Sequence, residues 1–227
     1  MKYIVIGLGY FGSNLASKLT SMGHEVIGID HHSERMDELK DSVTTVMKMD
    51  STSINAIKSL PLDDADAVIV AIGEDIGASI LTASILINLN VKRVIARAVN
   101  QTHQSILKQI GILEVVMPLE DSAMHVASML QLKNTLRLTE LNDDYSVAEI
   151  IVPAKYAGHS LDTLSLTDRF SLRLIAVKVA PKEGLMTSIF RRNFKIDMSY
   201  DPHAPLGEKD VLVLAGKIAD IKRFTEN

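Results

Sequence analysis

Cysteine is absent from the 227 residues, and with it go disulfides, thiolate metal sites and cysteine nucleophiles. Tryptophan is also absent, and aromatic residues make up only 4% of the chain. The core is therefore expected to be aliphatic, with the ten methionines as filler. Basic residues are not in excess: 24 Lys and Arg face 28 Asp and Glu, for a net charge of −4. That balance gives no expectation of nucleic-acid binding. No apolar run approaches the ~18 residues of a membrane span. The N-terminus enters an apolar, strand-like run at once, without the layout of a signal peptide. The expectation is a soluble, cytoplasmic chain that does not insert into a membrane and acts there only through a partner. A G-x-x-x-x-G-K-[ST] loop is missing as well, which excludes a P-loop ATPase.

What the chain does have is concentrated in its first thirty residues. The apolar residues 1–6 run straight into Gly7-Leu8-Gly9-Tyr10-Phe11-Gly12. A helical stretch, a second apolar run at 26–29 and Asp30 follow. Strand, glycine turn, helix, strand and acid, in that order, form the ADP-binding half of a dinucleotide fold. Gly7 permits the tight turn, Gly9 lets the backbone approach a pyrophosphate, and Gly12 lets helix and strand pack closely. The helix N-terminus offers N–H groups and a positive dipole end to the phosphates. Asp30, eighteen residues past Gly12, is placed to accept from both ribose hydroxyls. An anion there argues against a 2′-phosphate, an exclusion softened by the nearby His31, His32 and Arg35. An exposed loop is the plainer reading of the two histidines. NAD, ADP and ATP share the adenosine and first phosphates, so Asp30 does not separate them.

The alternation continues beyond Asp30. Helical patterns at 33–40, 53–59, 76–89 and 102–110 intersperse strand patterns at 44–49, 67–72, 94–98 and 114–117. Such regularity predicts an α/β protein with a Rossmann-type doubly wound parallel sheet. A longer helix is expected over 121–134, apolar on more than one face. Packing on the chain's own C-terminal part and dimerisation both satisfy that surface. The expected division is a nucleotide-binding domain at 1–118, a linking helix within 119–137, and a smaller α+β domain at 138–227. Strands are predicted in the last at 146–152, 174–179, 194–198 and 211–215, with a closing helix at 219–224.

Other candidate site residues stand at C-terminal strand ends, where open α/β sheets bind ligands. Asp50, followed by Ser51, can accept from an adenine amino group, although Asp50-Ser51-Thr52 also suits a helix start. Ile72-Gly73 opens a polar turn after the fourth strand. Arg97 ends a buried strand, where an arginine is costly unless paired. A ligand phosphate, a subunit interface and an internal ion pair all remain open for it. Glu120 and Asp121 can hold a divalent cation, while helix capping by Asp121 is the more economical reading. No His/Asp/Ser constellation or metal-ligand spacing appears, and the second domain is small for a substrate domain.

Taken in order, residues 2–13, Asp30, Asp50-Ser51-Thr52, Val70-Ala71-Ile72-Gly73, Ile95-Ala96-Arg97 and Met117-Pro118 resemble the cytoplasmic regulatory subunits of Trk/Ktr-type potassium uptake systems (RCK or KTN domains). Gly158-His159-Ser160-Leu161, residues 174–178 and residues 207–216 are similar to that family's C-terminal lobe. The resemblance implies a gating subunit without catalytic activity. It implies pairing of N-terminal lobes and assembly of dimers into a ring, commonly an octamer, beneath a separate membrane potassium channel. It further implies an adenine nucleotide, NAD(H), ADP or ATP. Gly7, Gly9 and Gly12 would hold the phosphates, Asp30 the ribose, Asp50 with Ile72-Gly73 the adenine, and Arg97 the phosphate or dimer side. Tyr10, Phe11, His31 and Ser51 complete the expected site, and Glu120 is the candidate cation ligand. Three departures stand out. Tyr10 replaces an arginine that meets terminal phosphates in many members. Leu119 intervenes between the proline and the glutamate of the family's cation site. Ser165-Leu166-Thr167 replaces an Asp-Ile-Arg run, so cyclic di-AMP is not expected. The alternative reading is a small NAD-dependent oxidoreductase, and a third is a nucleotide-sensing module of another transporter or regulator.

Overall fold

A computed structural model describes residues 1–180 and 194–226, the side chains at 128, 129 and 131 excepted. The chain divides into two compact units, Met1–Glu120 and Asp121–Asn227.

In the first unit, strands alternate with helices as the sequence pattern predicts. The strands are β1 (Lys2–Ile6), β2 (Glu25–Asp30), β3 (Thr45–Lys48), β4 (Ala67–Val70), β5 (Val94–Arg97) and β6 (Glu114–Val116). The helices between them are α1 (Tyr10–Ser21), α2 (Glu34–Leu39), α3 (Ile54–Lys58), α4 (Ile76–Asn88) and α5 (Gln101–Gln109). All six strands run parallel in the order β3-β2-β1-β4-β5-β6. This is the doubly wound arrangement expected from the sequence.

The sheet is held from both faces. Ile4, Ile6, Ile29, Val68 and Val70 join one apolar cluster, while the intervening Val5, Ala67 and Ile69 join another. That period of two follows from the strand pleat. It explains why β4 is buried throughout and reads in sequence as an unbroken apolar run.

His103 of α5 is the unusual member of this interior, only 1% exposed. Its Nδ1 accepts the Val99 N–H at 3.4 Å, and its buried Nε2 has no partner. Burial pushes its pKa down, so the folded chain keeps the ring neutral. The unfolded chain protonates it below about pH 6.5. The unfolded state then binds more protons, and stability falls as pH drops through that value. Urea midpoints should therefore decline between pH 7.5 and 5.5, and His103→Leu should flatten that decline. Equal slopes in both proteins would remove His103 from the account.

Helix α6 (Pro118–Gln131) begins three residues before the expected helix start. Proline suits a first helical turn, where its missing N–H is no loss. Asp121 therefore lies inside the helix and is not its cap, contrary to the sequence reading.

The second unit contains an antiparallel sheet of order β10-β9-β11-β8-β7 among the described residues. Its strands are β7 (Thr135–Glu140), β8 (Tyr145–Ile151), β9 (Arg173–Val179), β10 (Lys195–Asp197) and β11 (Val211–Lys217). Three short helices, α7 (Leu161–Leu164), α8 (Leu166–Phe170) and α9 (Ile218–Glu226), contribute to one apolar core with these strands. Strand β7 and helices α7 and α8 are additions to the sequence reading. At the core's centre the Phe224 ring stacks on Tyr156 at 5.0 Å and meets Phe170 edge-on at 5.2 Å.

Candidate functional site

Strand β1 pairs with β2 on one side and β4 on the other. The crevice beyond their C-terminal ends is the switch point of the sheet, where such folds take ligands. The glycine turn lies there. Gly7 adopts φ +92°, and its N–H donates to the Ile29 carbonyl at 2.7 Å. A Cβ on Gly12 would lie 1.8 Å from the Gly7 carbonyl oxygen, so the turn and α1 meet backbone to backbone. Gly9 is different: a Cβ there would meet nothing within 4 Å. No contact among the described residues demands glycine at position 9, whereas close approach by a ligand would.

Helix α1 starts with its N–H groups uncapped. Gly9 supplies no side-chain acceptor, and the first turn carries no acid. Elsewhere in the unit, Asp75 caps α4 by accepting the Ala78 N–H at 2.9 Å, and Asn100 caps α5 by accepting the His103 N–H at 2.8 Å. Helices α2 and α3 also lack a side-chain cap bond. Of the three uncapped helices, α1 alone starts from the glycine turn at the crevice, where an anion satisfies such N–H groups. Tyr10, the first residue of α1, is 90% exposed.

Asp30 closes β2 with a buried carboxylate held from two sides. Oδ2 accepts the Leu8 N–H at 2.7 Å, and Oδ1 accepts the His32 N–H at 2.9 Å. Burial pushes its pKa up. The N–H groups of His32 and Leu8, the His32 ring and the charge of His31 together outweigh that effect, so the net shift is downward. The carboxylate thus stays ionised. With two lone pairs on each oxygen it retains acceptor capacity for ribose hydroxyls. His31 and His32 stand in an exposed loop, as read from sequence, with their rings turned to the acid.

Asp50 is exposed and accepts from both the Thr52 N–H and the Thr52 hydroxyl, at 2.9 and 2.7 Å. These two bonds hold its pKa down. They close a local turn; the residue flanking α3 is Ser53, so Asp50 does not cap that helix. Ser51 is 8% exposed, and its hydroxyl shares a 2.9 Å bond with Thr82 of α4. That hydroxyl ties the end of β3 to α4, an internal role the sequence did not indicate.

Arg97 ends β5 and lies directly over Gly73, where a Cβ would come 2.6 Å from Nη1 and 2.8 Å from Cζ. Its Cζ also stands 5.6 Å from the centre of the Phe11 ring. Nε is buried without a hydrogen-bond partner. Among the described residues no carboxylate pairs with this guanidinium. An internal ion pair, one of the three readings from sequence, is therefore not formed. The fold brings Gly73, Arg97 and Phe11 together from three separate elements, and the glycine at 73 makes room for the cation.

Glu120 is exposed near the start of α6. Among the described residues it belongs to no group of metal-capable side chains, so one chain alone does not build a cation site there. The group that does form is Asp30, His31 and His32.

Residues 3–118 match the family model of the TrkA-N domain. The Ktr system potassium uptake protein C of Bacillus subtilis (strain 168) is 31% identical over 223 residues, 98% of this chain and 95% of that protein. The Ktr system potassium uptake protein A of the same organism is 30% identical over the same shares. Among solved structures, the GsuK channel bound to NAD superposes with a TM-score of 0.65 at 18% identity. That match covers 98% of this chain and 38% of the channel chain, and it supports the fold alone. With the family model matched over residues 3–118 and two Ktr proteins alike over 98% of its length, the chain belongs to the TrkA-N family of potassium uptake proteins.

Proposed function

We propose that this chain is a cytoplasmic, non-catalytic regulatory subunit of a potassium uptake system, which senses an adenine nucleotide and gates a separate membrane channel. The observation that carries the reading is Arg97, a guanidinium with no carboxylate partner among the described residues, beside Phe11 at the uncapped start of α1. Together they offer a cation, a helix dipole and free N–H groups to phosphates. Gly7, Gly9 and Gly12 frame the phosphates, with Tyr10 and Phe11 beside them. Asp30 takes the ribose, and Asp50 with Ile72-Gly73 takes the adenine. The nucleotide is NAD(H), ADP or ATP, and its effect requires unequal affinity for the two gating states.

No helix among the described residues is long and apolar enough to cross a membrane, in keeping with action through a channel subunit. Leu119, Met124, Val126 and Leu130 expose large apolar side chains along α6. A second copy covering them fits a homodimer, and dimers assemble into a ring of eight. Such an interface is also where Glu120 can find partner ligands for a divalent cation. No observation favours the oxidoreductase alternative.

Parallel calorimetric titrations with ATP, ADP, NAD⁺ and NADH test the site. All four share the ribose, so Asp30→Ala is expected to weaken each roughly tenfold to a hundredfold, the loss of hydrogen bonds to a charged group. Circular dichroism checks that the glycine turn, which also depends on Asp30, survives the change. Unaltered affinity in a folded variant would overturn the assignment. Light scattering should find a ring-sized species, while substrate-dependent turnover of NAD by a monomer or dimer would sink the gating role.

A further inference from the structure

Asp30, His31 and His32 each bring one ligand-capable atom to within 4.8 Å of the others. Asp30 Oδ1 lies 3.1 Å from His32 Nδ1 and 3.5 Å from His31 Nδ1. Two atoms each about 2.0–2.1 Å from a tetrahedral zinc ion stand roughly 3.3 Å from each other. The observed spacings bracket that value.

Hydrogen bonding accounts for the His32 ring, whose Nδ1 pairs with Oδ1 at 3.1 Å, but not for His31, whose Nδ1 stands 3.5 Å from the same oxygen. Oδ1 already accepts the His32 N–H at 2.9 Å and has about two lone pairs. Two further imidazole nitrogens converge on the same oxygen, and the ring centroids stand 3.7 Å apart, tilted by 43°. A cation between the three atoms gives Oδ1 and both imidazole nitrogens a partner.

The cluster is also accessible and anchored. The histidine side chains are 70% and 57% exposed, against 8% for Asp30. The Leu8 N–H fixes the second carboxylate oxygen from the turn side. Three protein ligands leave a fourth position open to water. Two imidazoles and a carboxylate select a first-row transition ion such as Zn²⁺ over Mg²⁺ or Ca²⁺.

We propose that Asp30, His31 and His32 bind Zn²⁺ or a similar transition-metal dication at the lip of the nucleotide crevice, and that the bound ion withdraws Asp30 from the ribose. The second half rests on the nucleotide reading above; the first does not. Metal and nucleotide then oppose each other, and linkage makes the opposition reciprocal. A rise in free transition metal lowers nucleotide occupancy without any change in nucleotide concentration.

The test uses the full chain without a histidine tag. Zn²⁺ titrated by calorimetry is expected to bind at one ion per chain, with Mg²⁺ giving no competing isotherm. Co²⁺ should show the visible absorption of a four-coordinate site. His32→Ala removes one ligand but keeps the backbone N–H that holds Asp30. It should weaken Zn²⁺ about tenfold or more and leave NAD⁺ binding in place. In the parent chain Zn²⁺ should weaken NAD⁺ binding, and in His32→Ala the same Zn²⁺ concentration should not. An absent Zn²⁺ isotherm, or one unchanged in His32→Ala, overturns the metal site. NAD⁺ binding that is equal with and without bound Zn²⁺ overturns the competition. Failure of NAD⁺ to bind the metal-free parent counts against the nucleotide reading and the competition, and the Zn²⁺ isotherm still decides the metal site.

Discussion

Replacing Gly12 with alanine is expected to cost about 3 kcal/mol of stability and to abolish nucleotide binding. The added Cβ would sit 1.8 Å from the Gly7 carbonyl oxygen. Relief requires α1 to move outward by on the order of 1.5 Å to restore van der Waals separation. Overpacking of this kind costs about 1–3 kcal/mol, and more where neither side can yield. Here both sides are backbone, so the upper end applies. Moving the helix start would also carry its N–H groups away from the proposed phosphate site. Gly9→Ala is the informative partner. Its Cβ meets nothing within 4 Å, so stability should stay within about 0.5 kcal/mol of the parent. Nucleotide affinity should nevertheless fall, because the methyl group occupies the line of approach. Urea unfolding and calorimetry on both variants separate the two roles. A Gly12→Ala protein as stable as the parent would contradict the packing described, and full affinity in Gly9→Ala would contradict the ligand geometry.

The second large effect is expected far along the chain, at Phe224. This ring is fully buried, stacked on Tyr156 and edge-on to Phe170. Truncating a buried phenylalanine to alanine costs about 3–5 kcal/mol, with the aromatic pairings adding to the loss. A domain of ordinary stability has only about 5–15 kcal/mol in total. Phe224→Ala should therefore leave the second unit largely unfolded at moderate urea. The two apolar clusters of the first unit include no residue of the second. Nucleotide binding by the first unit should persist where the second has melted. Parallel loss of both transitions would mean that the units depend on each other for folding.

The first unit was largely legible in sequence because its strands are buried on both faces. Residues 67–70 are apolar without a break, and no other element of that length suits a parallel sheet. The glycine turn and Asp30 were legible because their spacing reflects one local unit. What escaped depends on distant partners. The bond of the Ser51 hydroxyl to Thr82, thirty-one positions away, has no signature in the local sequence. Arg97 was suspect on burial alone. Its lack of a counter-charge among the described residues and its fit over Gly73 emerge only when β4 and β5 are paired. In the second unit, β7 alternates through Leu136 and Leu138 but is only six residues long. Its inward side is defined by β8, which no local pattern announces. Helices α7 and α8 are four and five residues long. Segments so short form through packing, and their own periodicity barely registers.

The bonds from the Leu8 and His32 N–H groups to Asp30 bear on how quickly and how tightly a ligand is held. The carboxylate reaches its binding rotamer when the chain folds, before any ribose arrives. Fixing a mobile side chain on association costs about 0.5–1.5 kcal/mol, and here that ordering belongs to folding. Arrival of the sugar need not await a rotation of the acid. The same strut links the end of β2 to the glycine turn through a single peptide group, so in the proposed nucleotide site a tug on the sugar would be felt at the phosphates.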